Sequence, residues 1–192
     1  MLRRLYDWTI SLARTPHALW ALAAVAFVES SVFPIPPDVL MIPMILAMPN
    51  RAFLIAFVAM VSSVLGGLLG YVIGAFFYDS IGLPLLESLG KADSMAAFNE
   101  RFNDLGFWPV LIAGLTPFPY KVITIMSGWT GLPLGTFIVT SIVARGGRFF
   151  LVALLLWKFG APIREFIERR LGLMFTLFVI LLVGGFYVTR FL

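Results

Sequence analysis

Four prolines and two acids break an apolar run at residues 29–43, which read Glu-Ser-Ser-Val-Phe-Pro-Ile-Pro-Pro-Asp-Val-Leu-Met-Ile-Pro. Pro34, Pro36 and Pro37 cannot all sit inside one regular helix, because each lacks a backbone donor and restricts the residue before it. The apolar limb ahead of them, residues 18–33, would extend roughly 24 Å as a helix. The limb behind them, residues 39–48, would extend about 15 Å. Both fall short of the ~30 Å hydrocarbon core of a bilayer. Two undersized limbs joined by a proline tip predict a re-entrant hairpin over residues 18–50. Such irregular backbone persists at membrane depth only where protein or a wet cavity surrounds it.

Composition supports lipid as the solvent. Of 192 residues, 60% are hydrophobic and 12% charged, more apolar side chain than a soluble domain of this length can hide. The chain reads as a single all-α polytopic membrane domain. Its formal charge of +4 fits the excess of Lys and Arg on cytoplasmic loops, with no need of nucleic acid. The absence of cysteine excludes disulfides, thiolate metal sites and Cys nucleophiles. Residues 1–17 mix Arg3, Arg4 and Arg14 with apolar residues. They predict an interfacial helix on the cytoplasmic side rather than a cleavable signal peptide.

Residues 51–80 are long enough to span. Gly66, Gly70 and Gly74 recur every four residues there and share a face open to close helix packing. A smooth face of this kind is also expected to let a neighbour slide. Residues 81–105 are acidic, and Met95, Phe98, Phe102 and Leu105 recur at helical spacing, so an amphipathic segment on the outer surface is expected. Residues 106–134 again form two short limbs, broken by Thr116-Pro117-Phe118-Pro119-Tyr120-Lys121. Residues 135–160 can span despite Arg145 and Arg148, and a basic segment follows. Residues 171–192 contain a last spanning run.

Pro34-Ile35-Pro36-Pro37-Asp38-Val39-Leu40 aligns with Pro117-Phe118-Pro119-Tyr120-Lys121-Val122-Ile123, which sets Asp38 opposite Lys121. Each copy precedes a span with a Gly-Gly pair, Gly66-Gly67 and Gly146-Gly147. A unit of one hairpin and one crossing leaves its successor upside down, so the halves form an inverted repeat, as in many transporters. With the N-terminus inside, the acidic segment falls outside and the basic one inside.

Glu29, Asp38, Lys121, Arg145 and Arg148 are costly in lipid and must face protein or a wet cavity. Arg145 and Arg148 are three residues apart and can point to one side of their helix. Two guanidiniums can grip a phosphate in fork geometry, with Lys121 as an additional point charge. Carboxyls in low dielectric can exchange protons, so Glu29 and Asp38 are candidates for proton coupling or gating. The alternative is an internal salt-bridge lattice. The two combine if the acids neutralise the arginines until a phosphate displaces them. Pro34, Pro36, Pro37, Pro117 and Pro119 would fix the hairpin tips. No zinc motif, P-loop or nucleophile elbow occurs, so an enzyme, a metal site or a cofactor is not expected.

Glu29 with the run 33–38, Gly66-Gly67-Leu68-Leu69-Gly70-Tyr71-Val72-Ile73-Gly74, the run 116–121 and Ala144-Arg145-Gly146-Gly147-Arg148-Phe149-Phe150 together resemble the DedA family of bacterial inner-membrane proteins. This is the SNARE-associated or VTT-domain superfamily, and the likeness is to its YqaA-like branch. The resemblance implies opposed re-entrant helices and movement of a lipid phosphate such as undecaprenyl phosphate across the membrane, coupled to protons. It implies functional acids at Glu29 and Asp38 and functional arginines at Arg145 and Arg148. Lys121 departs from the arginine expected near the second proline motif. A flippase-like or scramblase-like transporter is thus the leading expectation, with membrane lipids and protons as partners. A proton-coupled small-ion carrier and a non-transporting scaffold are the alternatives.

Overall fold

A computed structural model describes residues 17–32, 36–88, 92–116 and 119–169. The predicted N-terminal interfacial helix, the predicted span at 171–192, and Pro34 and Pro117 lie outside these residues. All the regular structure among them is helical. The helices are α1 (Ala18–Ser31), α2 (Asp38–Ala47), α3 (Ala52–Phe77), α4 (Leu83–Ser88), α5 (Ala92–Asp104), α6 (Trp108–Leu115), α7 (Tyr120–Trp129) and α8 (Leu134–Arg169). A 3-10 turn at Pro49–Arg51 leads into α3, and a π-helical turn at Tyr78–Gly82 follows it.

Pro49–Phe77 and Leu134–Gly160 are long and apolar enough to cross a membrane. At 1.5 Å per residue each extends about 40 Å, past the ~30 Å needed. Outward faces such as Leu65, Val72 and Phe76 on α3, and Val139, Val143 and Leu151 on α8, are exposed apolar surface. That face suits lipid and would be a liability in water.

The expected second span is extended by the structure. Helix continues past residue 160 to Arg169, with non-helical backbone at Phe159, so part of the basic segment is an extension of α8 and not a loop. On α5 the side chain of Met95 lies outside the described residues. Phe102 is buried, whereas Phe98 and Leu105 at either side of it are exposed.

Packing centres on α3. Helices α1, α7 and α8 lie against it, while α2 and α6 lie against α8. Glycine makes the first two of these contacts possible. A Cβ at Gly66 would collide with the Phe27 carbonyl of α1, and one at Gly74 with the Ile125 carbonyl of α7. Gly128 of α7 answers from the other side, where a Cβ would strike the Tyr71 carbonyl. These are backbone-to-backbone contacts, so α1 and α7 are interlocked with α3. The glycine face therefore clamps both neighbours by direct backbone contact. The Tyr71 hydroxyl adds a hydrogen bond of 2.7 Å to the Leu132 carbonyl just past α7.

Helix α2 is held differently. Met41, Met44 and Ile45 are buried in the cluster that Phe149 and Ala153 of α8 share. Pro43 lies inside α2 and removes one backbone donor from it.

Candidate functional site

The intramembrane charges meet where α1, α2, α3, α7 and α8 converge. Ser63 lies about 17 Å along α3 and Arg145 about 17 Å along α8, near the middle of each long helix. Ser63 and Arg145 are fully buried, so the protein must supply their partners.

Arg145 is fully buried. Its Nη2 donates to Glu29 Oε2 at 2.6 Å, and its Nε donates to Ser63 Oγ at 2.6 Å. Ser30 joins the group, with its hydroxyl 3.0 Å from Glu29 Oε2 and 2.7 Å from Ser63 Oγ. The guanidinium carbon lies 4.7 Å from the Tyr120 ring centre and 4.8 Å from that of Phe149. Ring faces attract cations, and desolvation strengthens the effect. Tyr120 is oriented in turn by donating its hydroxyl to Ser141 at 2.5 Å. Nη1 of Arg145 has no hydrogen-bond partner among the described residues.

Arg148, one turn further along α8, donates from Nη2 to Asp38 Oδ2 at 2.5 Å. Asp38 opens α2 directly after Pro36 and Pro37. A carboxylate in the first turn is favoured by the helix dipole. Each acid therefore neutralises one arginine, Glu29 with Arg145 and Asp38 with Arg148.

Lys121 does not meet Asp38, its counterpart in the repeat alignment. Its Nζ donates to the Val32 carbonyl at 3.2 Å, at the C-terminal end of α1. Nearby, the Thr124 hydroxyl donates to the Ser30 carbonyl at 3.1 Å. The last carbonyls of a helix have no partner within it, and α7 supplies two donors to those of α1. A lysine there also complements the negative end of the α1 dipole. Of the tip prolines, Pro37 precedes α2 and Pro119 precedes α7, each as the cap residue.

The structure thus brings together Glu29, Asp38, Arg145 and Arg148, and sets Lys121 beside the end of α1. Sequence reasoning passed over Ser30, Ser63, Tyr120 and Ser141. Their signal was available, since a hydroxyl in an apolar segment must find a partner there. No group of His, Cys, Asp and Glu suited to a metal occurs among the described residues.

The family model of the VTT domain matches residues 16–158. An uncharacterized protein of Haemophilus influenzae is 38% identical over 168 residues, spanning 85% of this chain and 87% of the relative. An uncharacterized protein of Histophilus somni is 37% identical over 168 residues, with the same coverage. No solved structure matches.

Proposed function

The chain belongs to the VTT-domain family, within the DedA or SNARE-associated superfamily, and from that premise we propose a multi-pass transporter of the bacterial inner membrane that moves a lipid phosphate. Undecaprenyl phosphate is the substrate this reading favours. The observation that carries it is the pairing of two acids with two arginines near the middle of the long helices. The paired state is neutral overall and tolerable in lipid. A phosphate headgroup can take the place of a carboxylate on a guanidinium, since both are oxyanions that accept in fork geometry. The released carboxylate can then take up a proton, which ties headgroup exchange to protonation.

The helix packing supports re-entrant hairpins in an inverted repeat. Helix α1 lies on α3 as α6 lies on α8, and α7 lies on α3 as α2 lies on α8. In each half the first short helix rests on its own long helix and the second on that of the other half. This exchange is what a two-fold axis in the membrane plane would produce. The clamp between α3 and α7 opposes rocking of one half against the other. Alternation would come from α2 and the end of α8 that it contacts.

The test is movement of labelled undecaprenyl phosphate across liposomes containing the purified protein. Arg148→Ala is expected to lower transport to the protein-free rate. Normal transport by that variant would remove Arg148 from phosphate binding. Ion flux without lipid movement, in vesicles of neutral headgroup, would replace the reading with an ion carrier.

A further inference from the structure

We infer that the two arginines have separate tasks: a phosphate is received at the seam between α2 and α8 by Arg148 as Asp38 gives way, and Arg145 never meets it. This rests on the lipid-phosphate reading for its ligand, but on geometry alone for the division.

The first observation is access. The Arg145 side chain is 1% exposed, whereas that of Arg148 is 24% exposed. Asp38 is 21% exposed. A ligand can approach Arg148 and Asp38 without dismantling the protein. Arg145 is covered by Tyr120 of α7 and Phe149 of α8, whose rings flank the guanidinium, and by Glu29, whose side chain is 14% exposed.

The second observation is how the acids are held. Glu29 belongs to α1, which the Gly66 contact locks against α3. Ser30 beside it is fastened twice more, through its hydroxyl to Ser63 and through its carbonyl to Thr124. Moving the α1 backbone at Glu29 would break all of these. Asp38 stands on α2, which shows no such backbone clamp among the described residues and is seated by the side chains of Met41, Met44, Ile45 and Leu46. Methionine adapts to altered packing at low cost.

Charge adds a third argument. A phosphate that replaces Asp38 on Arg148 leaves the Arg145–Glu29 pair intact as a fixed neutral base. A phosphate reaching both arginines would leave two carboxylates without partners at mid-membrane depth, which lipid penalises. Arg145 is thus a positioning residue. It fixes α8 against α1 and α3 and sets the height at which Arg148 faces the seam.

The chain contains no cysteine, so single-cysteine variants can be labelled without background. Asp38→Cys, Arg148→Cys, Ser63→Cys and Val143→Cys would be placed in liposomes and treated with a water-borne anionic thiosulfonate. Ser63 contacts Arg145, and Val143 is exposed on the outer face of α8. Reaction at positions 38 and 148 is expected to be more than about tenfold faster than at 63 and 143, since access governs thiol exchange. Dodecyl phosphate should slow labelling of Asp38→Cys while dodecanol does not, and adding Arg148→Ala should abolish that protection. Inorganic phosphate protecting equally would mean that the seam reads the phosphate alone. Protection only by the alkyl phosphate would mean that it reads a lipid.

Labelling of Ser63→Cys as fast as the seam positions would overturn the division of tasks. So would silence at both seam positions in folded protein, or the absence of phosphate protection. Loss of lipid movement in the liposome assay, with the labelling pattern intact, would sink the transporter reading and leave the water-accessible seam standing.

Discussion

Arg145→Met is expected to destabilise the protein by about 3–5 kcal/mol, the cost of leaving a buried partner charge uncompensated. The reason lies in what remains. Glu29 keeps its place on α1, clamped to α3 through Gly66, and loses the cation that neutralised it. Ser63 loses its guanidinium partner, and the Tyr120 and Phe149 rings face each other across a thinner side chain. Glu29→Leu alone should be costly for the mirror-image reason. The double variant, Arg145→Met with Glu29→Leu, should recover most of the loss, because apolar replacements of a buried pair are often close to neutral. Arg148→Met gives the contrast. Its pair with Asp38 is less buried, so the cost is expected to be smaller than for Arg145→Met. Unfolding midpoints in a detergent titration would measure all four. A wild-type midpoint for Arg145→Met would refute the keystone role.

The glycine clamp predicts the second large effect. Gly74→Ala and Gly128→Ala each place a methyl group on a backbone carbonyl of the facing helix, at Ile125 and Tyr71 respectively. A side chain could rotate away, but a helical carbonyl moves only if its helix moves. Overpacking of this kind costs about 1–3 kcal/mol. The two substitutions act on the same interface, so their effects should not add. Gly66→Ala should behave similarly by pushing against Phe27 of α1. Gly135→Ala is the control. It opens α8 with nothing within 4 Å of the new atom. There alanine should be neutral or stabilising by up to about 1 kcal/mol through helix propensity. Equal midpoints for Gly74→Ala and Gly135→Ala would show that α3 and α7 are not interlocked.

The charges were legible in the sequence because each violates the hydropathy of its own segment. Glu29, Asp38, Arg145 and Arg148 stand out without any knowledge of what they touch. That the acids neutralise the arginines was legible as well, but which acid meets which arginine was not. The alignment of the two proline motifs set Asp38 against Lys121, yet alignment relates equivalent places in a repeat, and equivalent places lie apart. Asp38 is instead satisfied from α8 and Lys121 by the end of α1. The glycines show a similar limit. Their spacing reveals a flat face, but flatness permits sliding and locking alike. What decides is whether the neighbour presents side chains or carbonyls, and that depends on the approach of α1 and α7 in three dimensions. Ser30 and Ser63 carried a weaker signal. A hydroxyl in an apolar helix costs less than a charge, although here two of them complete the buried ion pair.

The end of α1 carries a consequence for biogenesis. Its Ser30 and Val32 carbonyls and the Glu29 carboxylate find their donors on α7 and α8, about ninety to more than a hundred residues later in the chain. During synthesis the first half reaches the bilayer long before those donors exist. A short helix with open carbonyls and an unpaired acid is a poor solute in hydrocarbon. Before the second half arrives, α1 is therefore better accommodated near the headgroups or in a hydrated insertion channel than at its final depth. Assembly of the charged centre is then a late event, completed when α7 and α8 supply the missing partners.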